Sequence, residues 1–167
     1  VVDYLYKKGS NVNSLSRLSR SPLTKAAYLG RLDIAQLLLS YPEIIVDLPG
    51  NKGRTALHNA VWGKAGGREG KRVGSTQKED SPEVAQLLLE RGSNINLKDS
   101  DGNTPLAIAA ASHSERSIPI LMAFGADINV QNNAGETPID QATKWGHIMI
   151  CKLLIENYTP NLFLKNF

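Results

Sequence analysis

The 167-residue sequence points to an all-α solenoid of stacked helix pairs, and three features point there together. Segments opening at Ser21, Thr55, Thr104 and Thr137 resemble one another, and apart from one wider interval they recur at roughly 33 residues. Each opener starts a helix pattern, with Pro as the next residue in three of the four. Each segment then carries a second apolar run at helical spacing. Self-similarity at such a period marks a repeat architecture, because a unit of this kind cannot bury its apolar face alone and its neighbours seal it.

The elements follow in order. "VVDYLYKKGSNVN" aligns with the later "SPEVAQLLLERGSNIN", so residues 1–20 read as the end of a truncated repeat, with Val1 in mid-helix and Gly9 as a helix stop. The expected repeats are 21–54, 55–103, 104–136 and 137–158. Ser or Thr at each start offers an oxygen to an orphan N–H, and Pro in the first turn sacrifices no bond. Small apolar residues come next: Leu23, Ala26 and Ala27; Leu57, Ala60 and Val61; Leu106, Ala109 and Ala110. A turn (Gly30, Gly146) leads to a Leu-rich second helix, with stripes Ile34/Leu37/Leu38, Val84/Leu87/Leu88, Ile120/Leu121 and Ile150/Leu153/Leu154. Gly92 and Gly125 suit a left-handed C-cap. His113 stands where a turn glycine is expected, and Pro119 is tolerable only in the first turn of its helix. The interval from Thr55 to Thr104 is too long by about half a unit, and the excess falls in "WGKAGGREGKRVGSTQKEDS". Residues 159–167 form a C-terminal tail or cap, with Leu162, Phe163, Leu164 and Phe167 suited to fold back.

Thr55-Ala56-Leu57-His58, Thr104-Pro105-Leu106-Ala107, Thr137-Pro138-Ile139, Gly125-Ala126-Asp127-Ile128-Asn129 and Gly146-His147 resemble an ankyrin-repeat array. The likeness covers nearly all of residues 1–158. It implies helix–turn–helix units joined by hairpin-like turns, and partner binding through the turn tips and the exposed side of the first helices. Thr24, Ala107 and Asp140 depart from the family's frequent His, so the bond that His makes between neighbouring units is expected to survive only at His58.

Composition narrows the function. Apolar residues make up 41% and charged ones 21%, enough for a core and too few charges for a disordered tail. A net charge of +3 permits an acidic partner without implying nucleic acid. One cysteine excludes an intrachain disulfide, no apolar run nears the roughly 18 residues of a membrane span, and no leader pattern opens the chain. The expectation is a soluble intracellular protein, cytoplasmic or nuclear, forming a monomeric array within a larger protein.

No catalytic, metal or cofactor site is expected. His58, His113 and His147 fall at framework positions, Cys151 on a core stripe, and Asp99/Asp101 and Glu79/Asp80 in turns, as helix caps or solvated charge. The insert at 63–79 fails as a phosphate loop: five residues before Gly70 stands Ala65, and Arg72 follows Lys71. It reads as a long basic loop carrying Lys64, Arg68, Lys71, Arg72 and Lys78 against Glu69. Lengthening a short turn this far costs about 1–2 kcal/mol of closure entropy. Such a loop is either solvated or a dock for an acidic partner.

The resemblance, taken residue by residue, places partner contacts at Arg17, Arg20 and Tyr28; at Lys52, Arg54 and Trp62; at Asp101, Asn103 and Ser112; and at Glu136, Lys144 and Trp145. Aromatic anchors on an exposed ridge are common hot spots. Charge along the tips runs from basic (Arg17, Arg20, Lys52, Arg54) to mixed or acidic (Asp99, Asp101, Glu136). The leading expectation is a non-catalytic scaffold that grips a protein or peptide. The alternatives are anion or oligonucleotide recognition by the basic tips and insert, or a regulatory arm of a multidomain enzyme.

Overall fold

A computed structural model describes residues 11–62 and 80–158. Among these residues it contains eight α-helices and no strand: α1 (Pro22–Tyr28), α2 (Leu32–Leu38), α3 (Ala56–Val61), α4 (Pro82–Glu90), α5 (Pro105–Ala111), α6 (Ser117–Ala123), α7 (Pro138–Trp145) and α8 (Ile148–Tyr158). The first helices α1, α3, α5 and α7 pack in one row, and the second helices α2, α4, α6 and α8 in another. The expected all-α solenoid is realised.

Local chemistry starts the first helix of each pair. Ser21 Oγ accepts from the Thr24 amide at 3.1 Å, and Thr104 Oγ1 accepts from the Ala107 amide at 3.3 Å. Thr137 goes further: Asp140 answers it by accepting from the Thr137 amide at 2.8 Å, a reciprocal capping box. Pro119 lies in the first turn of α6, where it breaks no helical bond. His113 adopts a left-handed φ of 58°, the conformation that the turn glycine supplies elsewhere.

Alanine allows the first-helix row to close up. Ala60, Ala109 and Ala142 are completely buried, between leucines such as Leu57 and Leu106 that are equally so. One backbone bond recurs in every pair: the amide of Arg31, Ser114 or His147 donates to the carbonyl of Ala26, Ala109 or Ala142, five residues earlier. In the second pair the Ser81 amide makes the same bond to the Ala60 carbonyl at 2.9 Å, although the whole insert lies between them in sequence. The insert therefore leaves the helix pair's own closure intact.

The turn tips are built alike. Each closes with one hairpin-like bond: Ser16 to Arg20, Gly50 to Arg54, Asp99 to Asn103 and Asn132 to Glu136, amide to carbonyl, at 2.9–3.0 Å. Each of the last three tips also donates one amide to the tip before it: Asn51 to Ser19 at 2.9 Å, Ser100 to Lys52 at 2.8 Å and Asn133 to Asp101 at 3.0 Å. The tips thus form a fixed row.

Several expectations fall outside the described residues: the truncated repeat's first ten positions, the basic loop with Lys64, Arg68, Lys71, Arg72 and Lys78, and the tail with Leu162, Phe163, Leu164 and Phe167.

Candidate protein-binding groove

The row of tips and the first-helix row together hold the sequence-selected side chains, which gather into two groups. In the first, cations and rings alternate. The Arg20 guanidinium lies 5.0 Å above the Tyr28 ring. Tyr28 and Trp62 sit with centroids 5.9 Å apart at 49°. The Arg54 guanidinium lies 5.2 Å above Trp62. Tilted ring pairs and guanidinium-over-ring contacts are both attractive through the ring quadrupole, so the four side chains brace one another. A cleft of about 260 Å³ opens beside them, between the first two tips and the helices that follow each, with Lys52 and Asn51 on its rim.

Asp99 orients the far end of this group. Its carboxylate accepts from Arg54 Nε at 3.2 Å, and its side chain is completely buried. The same residue accepts from the Asp101 and Asn103 amides at 3.0 and 2.9 Å. Asp99 is therefore a bracket inside the tip, and the expectation of an exposed acidic residue there is corrected: two backbone amides and a guanidinium hold it inward.

The second group lies on the last pair. Lys144 Nζ donates to Glu136 at 2.7 Å, and Asn132 Nδ2 donates to the same carboxylate at 3.1 Å and to Asn103 Oδ1 at 3.0 Å. The Lys144 bond, then the Asn132 bond, hold the Glu136 carboxyl below its ordinary range. Trp145 ends α7 and is exposed. Arg17 and Asp101 are exposed on their tips, whereas Asn103 is half-buried. Ser112 is buried with its hydroxyl donating to the Ile108 carbonyl at 2.6 Å, which corrects its placement on the accessible ridge. At the basic end of the tip gradient Arg17 and Lys52 are exposed while Arg20 and Arg54 are half-buried, and the acidic end is partly neutralised from within.

His58 serves the framework. Its Nδ1 accepts from the Thr55 amide at 3.2 Å and its Nε2 faces the Asn103 carbonyl at 3.1 Å. The matching Thr24 and Asp140 bond only inside their own turns. Burial, the largest influence, pushes the His58 pKa below its ordinary 6.5. His113 and His147 stack at 4.7 Å and 19°. Cys151 is half-buried, with its sulfur 3.7 Å from the Thr143 hydroxyl. Among the described residues no three His, Cys, Asp or Glu side chains converge as metal ligands.

Sequence reasoning left one contributor open, Asp80 as a helix cap or solvated charge, and missed a second, Gly50. Asp80, just after the insert, is buried and accepts from the Ser117 amide at 2.8 Å and its hydroxyl at 2.6 Å, tying the insert's exit to the start of α6. Gly50 lines the cleft, and a Cβ there would come within 2.6 Å of the Ser19 carbonyl oxygen, so the position needs glycine. Neither contact has a local signature, since each partner belongs to a neighbouring repeat.

Comparison with known proteins agrees with this architecture. A family model described as ankyrin repeats in three copies matches residues 1–68 and 75–165. Transient receptor potential cation channel subfamily A member 1 from Homo sapiens is 27% identical over 165 residues, 99% of this chain and 14% of its own length. Nuclear factor NF-kappa-B p105 subunit from Gallus gallus is 30% identical, covering 74% of this chain and 15% of its own length. The ankyrin repeat protein YahD of Escherichia coli (strain K12) is 32% identical, over 68% of this chain and 51% of its own length. The chain therefore spans about half or less of these relatives. No helix among the described residues is long and apolar enough to cross a membrane. With capped helix pairs, a bonded row of tips and a family match over nearly its full length, the chain belongs to the ankyrin-repeat family.

Proposed function

We propose that this chain is a non-catalytic interaction module that binds a protein or peptide partner along its tips and first helices, within a larger intracellular protein. Ankyrin repeats generally serve as protein–protein interaction modules. The observation that carries the reading here is the braced series Arg20–Tyr28–Trp62–Arg54 beside an open cleft. Arg, Tyr and Trp are the side chains most enriched among binding hot spots. Here their rotamers are already restrained by one another and their tips by backbone bonds, so a partner orders little on arrival and loses little entropy. Trp145 and Lys144 extend the same surface to the last pair.

Selection of binders from a displayed random-peptide library tests this. Selected peptides should lose about tenfold or more in affinity on Trp62→Ala, the scale of a hot-spot truncation. Peptides that bind Trp62→Ala and Trp145→Ala as tightly as the parent chain, yet fail when residues 63–79 are deleted, would move the site to the insert and overturn the groove.

A further inference from the structure

The cleft's charges are unevenly matched. Arg20, Lys52 and Arg54 all line it, but only Arg54 has an acidic partner among the described residues, the buried Asp99. Three cations against one carboxylate leave two positive charges facing the opening. The Arg20 guanidinium is fixed from behind by a ring rather than by an acid, and Arg54, stacked on Trp62 and bonded to Asp99 through Nε, keeps its remaining N–H groups for a ligand.

Lys52 adds an independent sign. Its backbone is left-handed, φ 56° and ψ 29°, a region that lysine adopts at a cost and that glycine or asparagine adopts readily. The matching tip residue Asp101 has an ordinary negative φ, and only the following glycine turns over. A strained lysine on the rim of a binding cleft is the pattern expected where its charge outweighs its poor local fit.

From these observations we infer that the cleft between the first two tips is a subsite for a dianionic group on the partner: a phosphorylated side chain or a pair of neighbouring carboxylates. A phosphoryl group carries about −1.5 to −2 charge at neutral pH, which matches the two uncompensated cations. Arg20 and Lys52 bind it directly, Arg54 contributes through its remaining N–H groups, and Trp62 supplies a flat apolar wall for the stem that bears the charge. The subsite also sets direction, since it pulls the acidic end of a bound peptide toward the first two tips. The inference rests on the groove reading above and narrows it.

The test uses the chain's two tryptophans, Trp62 and Trp145, as separate reporters. Indole N–H signals are followed in ¹⁵N-labelled protein during titration with inorganic phosphate or with succinate, at constant ionic strength. The Trp62 signal should shift saturably while Trp145 stays in place. Arg20→Gln should weaken the response about five- to tenfold, the scale of one exposed charge-assisted contact. Lys52→Asn should weaken it equally while the thermal midpoint holds or rises, because asparagine tolerates the left-handed backbone; that separates ligand binding from misfolding. Tighter binding of phosphate assigns the phosphoryl source, and tighter binding of succinate the carboxylate pair; capped phosphoserine and Asp-Asp dipeptides check each. The inference is overturned if Trp62 shows no saturable shift, or if both variants respond like the parent. In that case library peptides that still require Trp62 would leave the groove standing without its anion subsite.

Discussion

His58 shows how one side chain fastens a first helix to the tip that leads into the next one. Its Nδ1 is an acceptor for the Thr55 amide, so in the neutral ring the proton resides on Nε2 and is donated to the Asn103 carbonyl. Protonating Nδ1 would set two donors against each other inside a buried site. The folded chain therefore holds the second proton less tightly than the unfolded chain does, in keeping with the lowered pKa. Stability follows from the sign: it is complete above the ordinary value of 6.5 and falls as the pH drops below it, down to the depressed folded value. Urea titrations between pH 8 and 5 should show this decline, and His58→Gln should flatten it while lowering stability at pH 8 by about 1–3 kcal/mol, the cost of buried donors and acceptors left unmatched. A pH response unchanged in His58→Gln would remove His58 from this role.

At the scale of elements, the tips are governed by contact between one hairpin and the next. Gly102 has a φ of 79°, and a Cβ on it would press into the Asn133 backbone nitrogen at 2.7 Å. Gly125 has a similar φ of 83° with open space around it. Gly125→Ala should therefore cost about 1 kcal/mol for conformation alone, while Gly102→Ala should cost roughly 2–4 kcal/mol by adding the steric term. The comparison isolates the contact between tips; equal losses in thermal unfolding would mean that the row of tips contributes no packing. Cap and turn positions were legible from sequence because their chemistry is local: a hydroxyl three residues before an amide, a residue forced to positive φ. Asp99 and Ser112 were misplaced because burial depends on the preceding repeat's Arg54 in one case and on the helix's neighbours in the other.

For the whole molecule, the two rows make stability a nearest-neighbour property. Leu106 on α5 is completely buried, and α5 packs against both α3 and α7. Leu106→Ala should cost about 2–5 kcal/mol and weaken two interfaces at once. Hydrogen exchange should then lose most protection in α3, α5 and α7 and least in α1 and α2; uniform loss across all helices would show the array to be a single cooperative block instead.

The sequence by itself determined the period, the helix starts, the aliphatic stripes and the place where the second repeat is interrupted, because spacing, capping and turn chemistry act within a few residues of each other. Only the tertiary structure decided which charges are free and which are spent: Asp99 drawn beneath Arg54, Glu136 held by Lys144, and Arg20 and Lys52 left facing an open cleft. Those outcomes depend on side chains from successive repeats meeting in space, and a one-dimensional pattern contains no record of that.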